Sequence, residues 1–522
     1  MEKEPLNLSA IRAQVAETQG PQRWRSLEEL AQTEAFQELL HREFPQHASV
    51  WPHFDRRHFL KLMGASLALA GLTACSSEPP EKILPYVRPP AEVVPGKPLF
   101  FATAMPLGGY GTGLLVESHL GRPTKVEGNP LHPASLGATD LFNQASILSL
   151  YDPDRAQQVS EWGQTRSWQA FLASVRAVLE NQRASGGAGI RILTETVSSP
   201  SLAGQLAAFL ETFPAATWHQ YEPLGRDNER AGANLAFGRV LHPRYRFDQA
   251  ERILALDADF LAPGRPGNVR YARDFAERRR LWAGQTEMNR LYVIESTPTM
   301  TGAVADHRLP LRAGQVEGVT RALAQALGIA VEPGEVELPE NQTAWLAAMA
   351  RDLQAHQGSS LILPGAEQPP LVHALAHALN AALNNVGQTV VYSEPVEAKP
   401  VDQLESLRDL VEAMAGGQVE LLLSLSGNPV LTAPVDFDFA AQLANVGLAV
   451  HLSLYADETS QLCRWHLPET HYLEQWGDVR AYDGTVSIIQ PLINPLYENK
   501  SALELLAALR GEADPPSYDL VR

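Results

Sequence analysis

The chain has 522 residues, 45% of them apolar, with 60 acidic side chains against 42 basic ones and a formal net charge of −18 at neutral pH. That length buries cores for several domains, and the acidic balance excludes a nucleic-acid binder, whose phosphates it would repel. Two cysteines, Cys75 and Cys463, exclude a four-thiolate iron–sulfur cluster or a cysteine-rich zinc site held by this chain alone.

Residues 1–54 form an N-terminal extension with patterned segments such as Trp24 to Leu30. Residues 55–75 then carry paired Arg56 and Arg57 ahead of Phe59, Leu60 and Lys61, followed by an apolar stretch too short to span a bilayer. This is the pattern of a twin-arginine export signal, which passes folded proteins across the bacterial inner membrane. It ends in Leu72-Thr73-Ala74-Cys75, a lipoprotein acylation pattern. A lipid on Cys75 would tether the chain to the membrane through a Pro-rich linker, residues 76–98, and an unmodified thiol is the competing reading.

From 99 to 155 short apolar runs alternate with glycine-rich turns, which predicts a β-rich entry domain. Ser167 followed by Trp168, Phe171, Leu172, Val175 and Leu179 predicts a capped helix. Apolar strands at 190–193, 252–256, 290–294, 360–363, 389–392 and 419–424 alternate with amphipathic segments, which predicts parallel sheets covered by helices on both faces. The acidic, Pro-containing stretch 332–341 divides this region into α/β lobes at 156–331 and 332–522.

Three constellations invite chemistry. Gly108-Gly109-Tyr110-Gly111-Thr112-Gly113 lacks the Lys and the following helix of a phosphate loop, so it reads as a turn. His373 and His377 have the i, i+4 spacing of zinc ligands, yet Ala374 stands where a metalloprotease has its glutamate and no third ligand is evident. Asp257 and the Asn428-Pro429 pair follow apolar strands, where α/β proteins place binding loops, although ordinary turn chemistry explains each separately. Cys463 reads as a packed small residue.

Gly121-Arg122-Pro123-Thr124-Lys125-Val126-Glu127-Gly128-Asn129-Pro130, Leu150 to Arg155, and Gly427-Asn428-Pro429 are similar to segments of molybdopterin oxidoreductases of the dimethyl-sulfoxide-reductase type. The export signal, Glu81 to Val87, Thr301 to Arg308, and Trp465-His466-Leu467-Pro468 through Leu473-Glu474-Gln475-Trp476-Gly477-Asp478 resemble more closely the B subunit of alternative complex III. The resemblance implies an α/β, molybdopterin-oxidoreductase-like fold, a β-rich entry domain followed by doubly wound parallel-sheet lobes. It implies a non-catalytic scaffold on the periplasmic side of a quinol:electron-acceptor oxidoreductase, exported by the twin-arginine route.

The expected partners are an iron–sulfur domain or subunit, a multihaem cytochrome c subunit and a quinol-binding integral membrane subunit. No cofactor is expected in this chain, because the segment 99–140 contains no cysteine and the ferredoxin-like domain of full-length relatives does not precede Arg522. Asp257, Asn428 and Pro429 are then remnants of a pterin crevice. The rival is an active molybdenum–pterin oxidoreductase acting on a small sulfur or oxyanion substrate, with the pterin near Asp257 and Asn428.

Overall fold

A computed structural model describes residues 93–94, 96–281, 286–334, 336–512 and 515–522. The extension, the export signal Arg56, Arg57, Phe59, Leu60 and Lys61, the acylation candidate Cys75 and most of the linker therefore lie outside the described residues.

The chain enters through an antiparallel meander of β1 (Leu99–Leu107), β2 (Tyr110–His119) and β3 (Arg122–Gly128), which helix α1 (Leu141–Leu150) covers. Asp140 caps α1, its side chain accepting from the Asn143 amide while Asn143 reciprocates to the Asp140 amide. Next come the short β4 (Ser160–Glu161) and β5 (Gln164–Thr165), then α2 (Trp168–Gln182), β6 (Ile190–Thr194), α3 (Pro200–Thr212), β7 (Thr217–Gln220) and α4 (Asp227–Phe237). Helix α2 starts where its sequence pattern predicts, with the Ser167 hydroxyl accepting from the Ala170 amide, a cap worth about 1 kcal/mol.

The chain continues through β8 (His242–Tyr245), β9 (Arg252–Leu256), α5 (Asn268–Glu277), β10 (Arg290–Glu295), β11 (His307–Pro310), α6 (Val316–Ala326) and α7 (Glu340–Ala355). It then forms β12 (Ser360–Pro364), α8 (Pro370–Ala382), β13 (Val390–Ser393), α9 (Gln403–Ala415), β14 (Leu421–Leu425) and β15 (Leu448–Ser453). Next come β16 (Trp465–Pro468), β17 (Gly477–Arg480), β18 (Val486–Ile489) and α10 (Ala502–Leu509).

Among the described residues two parallel sheets dominate. One has the order β5-β4-β16-β15-β14-β6-β7, parallel from β16 to β7 with β4 and β5 as an antiparallel edge. Alternation along its strands explains the layers. Leu421, Leu423 and Leu425 join Phe171, Phe209 and Leu506 of α2, α3 and α10 on one face, while Leu422 meets Leu407 and Met414 of α9 on the other. The second sheet, β11-β10-β9-β12, is sandwiched in the same way. Leu254, Ile294 and Ile362 face α6, α7 and α8, and Ile253, Val293 and Leu361 face Phe260 and Phe275.

Strand pairing does not follow a division at 331/332. Strand β12 pairs with β9, and β14 pairs with β6, so the lobe around the four-stranded sheet is inserted within the sequence of the other. The stretch 332–341 is not an interlobe linker, because Val336 and Leu338 pack into the core of the four-stranded lobe. The predicted strand at 389–392 is β13, paired antiparallel with β8 outside both parallel sheets. The entry unit is likewise discontinuous. Leu473, Val479 and Ile489 complete its core, and β17 and β18 form an antiparallel ribbon beside it.

Candidate functional site: carboxyl groups gathered at the strand ends

Strands β7, β6, β14, β15 and β16 run parallel, so their carboxyl ends meet at one edge, the place where open α/β sheets bind ligands. This edge carries Glu195 directly after β6, Glu222 after β7, Ser426-Gly427-Asn428-Pro429 after β14 and Glu469 after β16. Ser426 is a non-glycine residue with φ 62°, a left-handed conformation. Its hydroxyl donates toward both Glu469 oxygens, at 2.9 and 2.8 Å.

Gly427, at φ 71°, lies under Glu195. A Cβ there would stand 3.3 Å from the Glu195 Cγ, so the side chain already occupies the approach that glycine leaves open. Glu222 Oε1 accepts from the Thr196 amide at 3.0 Å, and His451 Nε2 lies 2.9 Å from the Gly427 carbonyl. Burial, with the Glu222 and Glu469 charges beside it, pushes Glu195 up to about 8. Burial raises Glu222, and it raises Glu469 to about 7 despite the Ser426 hydroxyl.

The structure does not bring the sequence candidates together. Asn428 and Pro429 belong to this edge. Asn428 Oδ1 accepts from the Thr459 hydroxyl at 2.8 Å, its Nδ2 donates to Glu458 at 2.6 Å, and Pro429, itself buried, starts a short helical turn. Asp257 ends β9 in the other sheet. Also left-handed at φ 53°, it accepts from the Ser296 amide and Gln368 Nε2, both at 2.9 Å, as a brace across strand ends.

Cys463 is 3% exposed, and burial pushes its thiol up to about 12, which leaves it unreactive. His373 and His377 are buried between α4 and α8, where burial lowers both, and His377 Nδ1 pairs with the Tyr392 hydroxyl at 2.9 Å. No group of three or more His, Cys, Asp or Glu among the described residues could hold a metal ion. The glycine-rich hairpin serves close packing. A Cβ on Gly109 would stand 2.6 Å from Thr196, and one on Gly111 would overlap Val479.

A second buried polar cluster has no local signature in the sequence. Glu397 accepts from the Tyr110 hydroxyl at 2.5 Å and from Arg230 Nη2 at 3.2 Å, and His242 Nε2 stands 3.2 Å away. Burial alone would raise Glu229, but the Arg226 guanidinium outweighs it and holds the carboxyl down at about 2. The cluster joins the entry hairpin, α4, β8 and the segment before α9.

The motif residues act as fasteners. Arg155 and Glu474, both with side chains 0% exposed, form a bidentate pair at 2.6 and 3.2 Å. Breaking such a pair costs about 3–5 kcal/mol. Asp478 caps α3 by accepting from the Ser201 amide and hydroxyl, and Thr301 donates to Asp259 at 2.6 Å.

No protein-family model matches the sequence. The chain is 23% identical over 512 residues to a protein of Nitratidesulfovibrio vulgaris named "Menaquinone reductase, molybdopterin-binding-like subunit", an alignment covering 88% of this chain and 72% of that one. Its structure superposes on acetylene hydratase from Pelobacter acetylenicus with a TM-score of 0.58 at 16% identity, covering 78% of this chain and 69% of the other.

The chain has a molybdopterin-oxidoreductase-like fold.

The pterin dinucleotide implied by that fold carries phosphates, which call for amide donors and cations. The strand-end edge offers Glu195, Glu222 and Glu469 instead, with Glu195 lying over Gly427. The Ser426 hydroxyl is engaged by Glu469, and the Cys463 thiol is packed in a core. These residues do not fit the cofactor.

Proposed function

We propose that this chain is a non-catalytic, molybdopterin-oxidoreductase-like scaffold subunit of a quinone-linked respiratory oxidoreductase of the alternative complex III type. The observation that carries the reading is the strand-end edge, where the Glu195 side chain lies over Gly427 and Glu469 engages the Ser426 hydroxyl, so that carboxyl groups stand where a phosphate would call for amide donors and cations. The name of the 23%-identical relative, a menaquinone reductase subunit called molybdopterin-binding-like, supports the quinone-linked part of this reading.

The chain's work would be positional. Electron transfer requires iron–sulfur and haem carriers held at fixed separations, and a rigid multi-lobed protein with wide interfaces provides that. The partners are an iron–sulfur domain or subunit, a multihaem cytochrome c subunit and a quinol-binding membrane subunit. The chain reaches the periplasmic side by the twin-arginine signal at Arg56 and Arg57, with Cys75 as the candidate site of a lipid anchor. No helix among the described residues is long and apolar enough to cross a membrane.

Purification from native membranes in mild detergent tests the assignment. Iron and haem should migrate with the chain through successive columns. Isolation of the chain free of both would contradict it.

A further inference from the structure

We infer that the carboxyl-end face of the seven-stranded sheet docks a partner protein, through a segment of that partner which presents Lys or Arg side chains among apolar ones. This gives the proposed scaffold one specific contact face, and it rests on that reading. Four apolar side chains stand exposed on this face, Val435 at 90%, Leu224 at 70%, Leu431 at 65% and Leu404 at 39%. Their segments are stitched into one surface. Tyr221, after β7, donates its hydroxyl to the Thr432 carbonyl at 2.6 Å, which joins the loop of Leu224 to the turn of Leu431. Asp227, the first residue of α4, accepts from the Gln403 and Leu404 amides at 3.0 and 3.1 Å. The Arg408 guanidinium of α9 lies over the Phe437 ring, two residues beyond Val435, at 5.5 Å. Exposed leucines scattered singly need no explanation, but a set gathered on one face and rimmed by charge marks an interaction surface.

The charges of that rim select the occupant. Asp402, Glu405, Asp436, Asp438 and Glu458 are all exposed on these strand-end segments. The sequence has no Lys or Arg between Arg408 and Arg464, and those two are paired with Glu405 and Glu161. Such a face repels nucleic acid, an anionic lipid surface and a second copy of itself. It attracts and orients a cationic segment, while covering Leu431 and Val435 supplies the apolar burial that holds it.

The test uses the chain extracted from its native membrane in mild detergent. A carbodiimide, which condenses carboxylates with lysine amines in contact, is added, and the linked peptides are mapped by mass spectrometry. Asp436, Asp438 or Glu458 should be joined to lysines of a different polypeptide, in a segment that also carries apolar residues. Asp436→Lys combined with Asp438→Lys should weaken the affinity for that polypeptide about tenfold, through loss of two exposed ion pairs. Both positions are exposed, so the fold is not at risk. A double variant that keeps its partners with an unchanged salt dependence would overturn the assignment, as would links from this face to a second copy alone. If iron and haem migrate with that variant as with the unaltered chain, the face is wrong and the scaffold reading stands. Links from this face in a fraction free of iron and haem would uphold the face and contradict the scaffold reading, and a chain recovered alone and unlinked would contradict both.

Discussion

Glu195 carries a neutral-range titration to the strand-end edge. A carboxyl raised from about 4.3 in the unfolded chain to about 8 in the fold makes the native state hold more protons than the unfolded one between those values. Its contribution to stability is therefore full below about pH 4 and is lost as pH rises through 7 to 8. Glu469, raised to about 7, acts in the same direction. Glu195→Gln, a neutral isostere, is expected to match the unaltered chain below pH 4 and to exceed it at pH 8.5 by about 1–2 kcal/mol, the figure being discounted because Glu195 is only half-buried. Thermal midpoints across pH measure this, and an unchanged pH slope in the variant would show that Glu195 is an ordinary ionised carboxylate. Little of this was legible in the sequence. Asn428 and Pro429 announced a strand-end loop, but Glu195, Glu222 and Glu469 stand alone in sequence, and only the parallel order of β7, β6, β14, β15 and β16 collects them.

At the scale of elements, local chemistry was legible wherever it is local. The Ser167 cap, the apolar strands at 252–256 and 290–294, and the β-rich entry all form as periodicity and turn residues dictate. The strand at 389–392 was misplaced because apolar residues alone do not state a partner, and β13 found β8. The hairpin glycines illustrate a constraint that becomes visible only on packing. Gly111→Ala would force a Cβ onto Val479 and is expected to destabilise by about 1–3 kcal/mol. Gly204→Ala, exposed in α3 with no atom within 4 Å of the added carbon, is expected to stabilise by about 0.5–1 kcal/mol. Equal effects of the two substitutions in denaturant titrations would refute the packing role.

For the whole molecule, the parallel-sheet class was readable from strand composition, but the nesting of one lobe inside the other was not. Composition marked 332–341 as a boundary, whereas the pairing of β12 with β9 places it inside a lobe. The segments carrying the family resemblance hold the distant parts together. Arg155 ties the end of the entry meander to Glu474, more than 300 residues later, and Asp478 caps a helix of the seven-stranded lobe. A frame kept by such fasteners is what the proposed scaffold role requires. The most direct test is the molybdenum and guanine-nucleotide content of the chain purified from its native membrane. Neither is expected at stoichiometric level, and one molybdenum with its pterin nucleotide per chain would contradict the scaffold assignment.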